Sequence, residues 1–493
     1  MDFVITALCS VLSAIVMVEI LALSFRLNFW RRRANAIEYA ALIFADTADE
    51  RIQEKLVLSA ALNLLSLVLY VLAILAIFFL VISFIPEVAQ IQDSLYLWST
   101  SAACIAYAWL RATLLEQRQQ RQLQQSSAAQ FNAGYNRIAR WLHWMALEIG
   151  LVRSASFELE KAIYLKKAAR DPRIIDQPVY VMGLARSGTT VVLEILEKVG
   201  PFSSPTYRDM PFVLCPNFWQ GLTRHSRLSA QFTARAHGDG IAIGFDSPES
   251  FEEIFWRTAC QIKPGPALAY ASNSKDTSAD FAAYRQLSLL SALQNGRVHP
   301  QTAQSLRYLS KNNNNLMRIK QLSAQAGAHL VLMIRDPLAT AWSLYRQHQR
   351  FVQIQAYDTY VRAYMRWLGH HEFGQGHKPL AIGTQHLHGF NPAQPDYWLA
   401  YWLGTYQNLW QTFKNLPPDH AERTIWVPYE RMCQSSAKEL SRLFSFFKID
   451  QSTDEFTKML RPLYVIDLSE HFDDNLVQRA RELHWNILES IKP

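Results

Sequence analysis

At 493 residues the chain exceeds one ordinary domain. Half of its residues are hydrophobic and only 18% are charged, a balance that suggests a partly membrane-embedded chain. Its net charge of +7 suits a polyanionic ligand or an anionic surface. No zinc-finger spacing and no interleaved aromatic and basic RNA signature accompanies that charge, so a nucleic-acid partner is not expected. The five cysteines (Cys9, Cys104, Cys215, Cys260 and Cys433) are scattered and never spaced as CxxC. That argues against a disulfide framework and a thiolate metal site, and it fits a reducing compartment.

In chain order, residues 1–111 read as a transmembrane region. Stretches 3–25, 56–85 and 95–110 are almost wholly apolar and read as spans. Arg31, Arg32 and Arg33 follow the first, and Arg111, Arg118 and Arg121 follow the third, while the loop 86–93 carries only Glu87 and Asp93. The positive-inside rule then predicts an outside N-terminus and everything after about residue 112 in the cytoplasm. The expectation is a multi-pass protein of a bacterial inner membrane, with the lipid bilayer as a partner. Glu19 reads either as a functional intramembrane carboxyl or as a protonated or paired one. Residues 112–150 read as a juxtamembrane connector. Within it, Arg137–Val152 is amphipathic, with Trp141 and Trp144 beside Arg137 and Arg140, and reads equally as a leaflet-surface helix or as the first helix of the next domain.

From 151 to 493 short apolar strands alternate with helical patterns. Val179–Met182, Tyr308–Ser310, Leu330–Ile334 and Thr424–Val427 read as strands. Val191–Val199, Pro248–Ala259, Ala339–Arg350 and Ser436–Phe447 read as helices. This predicts an α/β, P-loop-like, mainly parallel sheet flanked by helices. In such sheets ligands lie at the C-terminal ends of the strands.

Two motifs carry the chemistry. In Pro178-Val-Tyr-Val-Met-Gly-Leu-Ala-Arg-Ser-Gly-Thr-Thr190 a strand turns tightly into a helix. Unpaired backbone N–H groups at such a turn form an anion cradle. Gly183 and Gly188 permit the sharp turn, Arg186 adds a permanent charge, and Ser187, Thr189 and Thr190 add hydroxyl donors. A Walker A loop has Lys and Ser/Thr after its second glycine; here Thr189 and Thr190 stand there. The second motif, His329-Leu-Val-Leu-Met-Ile-Arg335-Asp336-Pro337, is a buried strand ending in a charged turn, with Asp336 as N-cap and Pro337 at the first helical position. Arg335 offers a bidentate fork to phosphate oxygens, and Ser343 one neutral donor.

On these two motifs the chain resembles the sulfotransferase superfamily, over most of residues 178–450. The segments Tyr429-Glu430 and Leu440–Phe447 resemble the last strand and helix of that family. The resemblance implies 3′-phosphoadenosine 5′-phosphosulfate (PAPS) as co-substrate, with no metal required. It implies a 5′-phosphosulfate loop of Arg186, Ser187, Gly188, Thr189 and Thr190, and a 3′-phosphate grip of Arg335 and Ser343. It also implies that Lys311, after a short strand, approaches the sulfate. The bland alternative for Lys311 is a solvated strand end, and for Asn312–Asn315 a polar loop.

Sulfuryl transfer needs a base to deprotonate the acceptor hydroxyl or amine. In the resembling family the base stands just past the loop helix or on a nearby loop. Asp209, in Tyr207-Arg-Asp-Met-Pro211, is the first candidate, although a structural ion pair with Arg208 is the competing reading. His237, in the Gly-rich Ala236-His-Gly-Asp-Gly240 segment with Asp239, and Glu249 follow. Five histidines between His370 and His388, with Glu372, Trp367, Phe373 and Phe390 nearby, lack the spacing of a zinc site and read as an acceptor-binding loop. The expected function is therefore a membrane-anchored sulfotransferase acting from PAPS on a lipid, glycolipid, saccharide or small-molecule acceptor. A nucleotide-dependent kinase with an atypical P-loop and a non-catalytic membrane-tethered nucleotide-binding protein are the alternatives.

Overall fold

The computed structural model describes residues 137–223, 233–234, 242–243, 251–263, 265–272, 277–296, 305–460 and 467–491. Nearly all of these lie in one compact unit, 131–221 with 232–493. The other unit, 1–130 with 222–231, contributes only the two residues that end a short helix.

Five parallel strands make the central sheet: β1 (Ile174–Met182), β2 (Phe202–Ser203), β3 (Leu306–Lys311), β4 (His329–Ile334) and β5 (Thr424–Pro428). Their spatial order is β2-β3-β1-β4-β5, and every neighbouring pair runs parallel. Burial on both faces is what near-continuous apolar runs encode. Alternate residues divide between two cores. Val179, Val181, Leu309, Val331, Met333, Ile425 and Val427 face one. Tyr180, Met182, Tyr308, Leu330, Leu332 and Ile334 face the other.

The helices that cover these faces are α1 (Arg137–Glu148), α2 (Gly150–Glu160), α3 (Thr189–Val199), α4 (Glu252–Ala259), α5 (Thr277–Gln294), α6 (Pro337–Tyr357), α7 (Thr359–Trp367), α8 (Pro395–Lys414), α9 (Ser436–Phe446) and α10 (Asp474–Ser490). Helices α3 and α9 supply the first core with Val192, Leu196, Leu440 and Phe444. Helices α5, α6 and α8 supply the second with Phe281, Tyr284, Leu344, Trp398 and Trp402. The result is a three-layer α/β unit with helices on both faces of a parallel sheet.

All four sequence-predicted strands form, and the differences lie at their ends. Strand β1 begins earlier, because Ile174 and Ile175 pair with Leu306 and Arg307 across a register shift that the polar Asp176-Gln177-Pro178 segment hides. Helix α6 extends past Arg350, because Phe351 and Ile354 continue its buried stripe. Residues 248–250 of the expected 248–259 helix lie outside the described residues. The amphipathic segment at 137–152 packs as a domain helix. Arg140 reaches Asp358 at 3.3 Å and lies over the Tyr360 ring, and His143 meets Tyr364. Trp141 and Trp144 point away at 48% and 44% exposure.

The expectation of a multi-pass membrane protein is corrected. Among the described residues no helix is long and apolar enough to cross a membrane. The stretches 3–25, 56–85 and 95–110 on which that reading rested, and Glu19 with them, lie outside the described residues.

Candidate active site

Because the strands are parallel and in register, their C-terminal ends share one edge. Val181 stands opposite Lys311, Met182 opposite Leu332, and Ile334 opposite Pro428. Four turns leave from that edge: 183–188, 312–315, 335–336 and 429–430.

The first turn is packed too tightly for side chains at its glycines. A Cβ on Gly183 would stand 2.6 Å from Ser187 Oγ and 2.9 Å from the Met333 carbonyl. Gly188 has φ +89°, and a Cβ there would meet the Tyr429 ring at 2.3 Å. Gly188 is also the N-cap residue of α3, whose first turn leaves backbone N–H groups without intrahelical partners. Ser187 Oγ donates to the Leu184 carbonyl at 2.7 Å, which closes the turn. Arg186 is held at φ 73°, a left-handed conformation that costs a non-glycine residue about 1–3 kcal/mol.

The neighbouring strand end over-determines that conformation. Arg335 Nη1 donates to the Arg186 carbonyl at 2.8 Å, and Arg186 Nε donates to Ser343 Oγ at 2.9 Å. Arg186, Arg335 and Ser343, separated by some 150 residues of chain, therefore form one hydrogen-bonded group. Tyr429 lies over the Arg335 guanidinium at 5.0 Å. Arg335 Nε is buried with no protein partner. Asp336 caps α6 by accepting from the Ala339 N–H at 2.8 Å, and its own N–H donates to Glu430 Oε1 at 3.0 Å. Burial raises the pKa of Glu430, and its Oε2 is unpartnered.

Lys311 ends β3 as a buried side chain. The asparagines after it turn to different jobs. Asn312 and Asn315 donate to Glu252, and Asn312 also to Glu253 at 2.6 Å. Glu253 in turn takes a bidentate pair from Arg318 at 2.8 and 3.0 Å. Asn313 Nδ2 donates outward to Glu372 Oε1 at 3.1 Å, and Asn314 Nδ2 to the Gly369 carbonyl at 3.0 Å. A narrow cavity opens there, lined by Leu184 and Ala185 of the first turn, Asn313, Leu344 of α6, and His371, Glu372 and Lys378 of the histidine-rich segment. Burial by itself would raise the pKa of Glu372, but His370, its own backbone and Lys311 together hold it well below the usual carboxylate range. His371 Nε2, Glu372 Oε2 and Asn313 Oδ1 are buried there without hydrogen-bond partners.

Of the base candidates only Asp209 is among the described residues. Asp209 is buried in the short turn Tyr207–Asp209, where its carboxylate accepts from the Thr206 N–H at 2.8 Å and from Gln220 Nε2. It completes a reciprocal capping box with Thr206. His237, Asp239 and Glu249 lie outside the described residues. Sequence reasoning placed His371 and Glu372 in an acceptor-binding loop without naming either as a base, and did not single out Lys378. The histidine tract was the only signal, and nothing in its spacing gives the fold-back that seats it against Ala185. Among the described residues no group of three His, Cys, Asp or Glu side chains is placed to hold a metal ion.

The arrangement concentrates two arginines, a lysine and a helix N-terminus around a glycine turn, as suits an oxyanion. The sequence matches a family described as the Sulfotransferase family over residues 178–378. That segment contains both the glycine turn at 183–188 and the Arg335 turn, and the match supports the sulfotransferase superfamily. No curated protein is matched by the sequence. Among solved structures, the chain is similar to sulfotransferase STF9 from Mycobacterium avium at 13% identity, over 73% of this chain and 87% of that one, with a TM-score of 0.40. Sulfotransferase STF1 from Mycobacterium tuberculosis H37Rv is similar at 13% identity over 72% and 88%, with a TM-score of 0.35. A sulfotransferase from Alicyclobacillus acidocaldarius follows at 14% identity over 61% and 89%, with a TM-score of 0.29. The family supports sulfotransfer in general.

Proposed function

We propose that this chain moves a sulfuryl group from PAPS to an acceptor hydroxyl or amine. The observation that carries the reading is the hydrogen-bonded group Arg186–Arg335–Ser343, which ties the glycine turn to the N-terminus of α6. The residues present suit a nucleotide with two phosphate sites. Arg335 retains a buried Nε without a protein partner, and Gly188 keeps the turn free of a side chain. In this reading Arg186, Gly188, Thr189 and Thr190 receive the 5′-phosphosulfate, and Arg335 and Ser343 the 3′-phosphate; Ser187, expected among the ligands, instead closes the turn with both its N–H and its hydroxyl on the Leu184 carbonyl. PAPS, when bound, supplies an activated sulfuryl group on a good leaving phosphate. Lys311 ends the strand beside β1 and lies near enough to Glu372 to lower its pKa; in this reading its ammonium offsets charge that develops on the bridging oxygen. The narrow cavity lined by Ala185, Asn313 and His371 has a volume of about 10 Å³, room for one water, and marks the side from which an acceptor hydroxyl would approach.

The test is binding of 3′-phosphoadenosine 5′-phosphate (PAP) to the full chain by calorimetry, with ATP plus Mg²⁺ as competitor. Arg186→Ala and Arg335→Ala are each expected to weaken binding by about 1.5–3 kcal/mol, independent of Mg²⁺. Binding of ATP only, and only with Mg²⁺, would make the chain a kinase-like protein instead.

A further inference from the structure

The histidine-rich segment is pinned by its own backbone, α6 and α8 at the cavity that the glycine turn also lines. His370 N–H donates to the Met365 carbonyl at 2.8 Å, and Lys378 N–H to the His371 carbonyl at 3.0 Å, which closes the segment on itself. Helix α6 grips its tip. Gln375 N–H donates to Gln355 Oε1 at 2.6 Å, and Gly374 N–H to His348 Nδ1 at 3.2 Å. His377 braces the inner side, with Nδ1 donating to the His371 carbonyl at 3.0 Å and Nε2 accepting from the Tyr397 hydroxyl at 2.8 Å.

Within this frame the tautomer of His371 is fixed by its partner. Its Nδ1 stands 3.1 Å from the Gly376 carbonyl. A carbonyl only accepts, so Nδ1 carries the proton and Nε2 carries the lone pair. That Nε2 is buried without a hydrogen-bond partner, and His371 lines the cavity that Ala185 of the glycine turn also lines. An imidazole lone pair kept unpaired beside an anion-binding turn is the arrangement a general base requires. Asp209, by contrast, spends its carboxylate on a capping box and Gln220.

We infer that His371 Nε2 is the general base for the acceptor, an assignment that rests on the sulfotransfer reading above. The acceptor oxygen forms its bond to sulfur while the bond from sulfur to the 5′-phosphate oxygen breaks. That electron pair leaves with the nucleotide, and the acceptor's proton passes to Nε2 and from there to water. Asn313 and His370 hold Glu372 beside it, so the imidazolium that forms has a carboxylate neighbour. Burial lowers the pKa of His371, so the base is neutral at pH 7. The charges that act on it are Glu372 and Glu253, which raise that value, and Arg257, which lowers it; Lys378 shares the cavity and His377 packs behind.

The decisive variant is His371→Asn in the full chain. An Asn amide can still donate to the Gly376 carbonyl in place of Nδ1, so the segment keeps its bond while the Nε2 lone pair is lost. The probes are PAP for binding, and radiolabelled PAPS with water or 2-naphthol as acceptor for transfer. The expected result is a fall in turnover of ~100-fold or more with unchanged PAP affinity. The acid limb of the native turnover profile, below the ordinary histidine pKa, should vanish in the variant. Histidine ¹⁵N spectra of the native chain should show His371 as the Nδ1–H tautomer. Undiminished turnover, a joint loss of PAP binding, or an Nε2–H tautomer would each overturn the assignment. So would a native chain that binds PAP yet releases no sulfuryl group to either acceptor, and that outcome leaves the nucleotide reading standing. A native chain that binds no PAP removes both.

Discussion

Gly188 shows how one missing side chain shapes the turn after β1. Its φ of +89° and the Tyr429 ring 2.3 Å from a would-be Cβ leave no room for a methyl group. Gly188→Ala is expected to cost about 1–3 kcal/mol of stability and to weaken PAP binding with it. Tyr429→Ala in the same chain should recover the part due to the clash but not the part due to φ, so the two substitutions should be non-additive in urea denaturation. Strict additivity would mean that the ring does not restrict the turn. The neighbouring Arg186 illustrates the complementary case. It adopts a left-handed φ without being glycine, and two hydrogen bonds from a distant strand and helix hold it there.

At the scale of elements, the loop after β3 is set by buried charge. Glu252 and Glu253 enter the core on α4 and are met by Asn312, Asn315 and Arg318. Burial would raise the pKa of both carboxyls. Arg318 overcomes this at Glu253, which is lowered, whereas Glu252 stays raised. Breaking one side of such a pair leaves an uncompensated charge in a dry site. Arg318→Met is therefore expected to destabilise the fold by about 3–5 kcal/mol, read as a shift of the urea midpoint. The double change Arg318→Met with Glu253→Gln should restore part of it, since the stranded charge is gone. An unchanged midpoint in the single variant would show that the pair does not anchor this loop. The same loop carries Lys311 and Asn313, so stability and site geometry are coupled here.

For the whole molecule, buried histidines tie stability to pH. His143, between α1 and α7, and His377, behind the cavity, are both pushed down to about 4 by burial. In the unfolded chain they protonate near pH 6.5. Their folded values are depressed, so their contribution is fully present above pH 6.5 and is lost as pH falls from there towards 4. The melting temperature should accordingly begin to drop between pH 6.5 and 5, before most carboxylates titrate. A melting temperature flat down to pH 5 would show that these rings are solvated. His143→Phe, which keeps a ring but cannot protonate, should flatten part of that slope.

Local chemistry is what the sequence determined by itself. Short, nearly continuous apolar runs specify the strands around Val179, Leu309, Val331 and Ile425. Gly183 and Gly188 mark the turn, and Asp336-Pro337 mark the start of α6, because these signals act within a few residues of chain. Arg186, Arg335 and Ser343 were legible as candidates for one site because each lies in such a local motif, and the fold brings the three together by hydrogen bonds. Strand order, and with it the meeting of the four turns at one sheet edge, was decided by tertiary structure. The capping box of Asp209 with Thr206 is local, but the hydrogen bond from Gln220 that completes its burial comes only through packing. The place of His371 in the cavity that Ala185 lines depends on contacts from α6 and α8, twenty or more positions away. No periodicity within a histidine tract carries that information, because a free lone pair is defined by the partners that the fold leaves out.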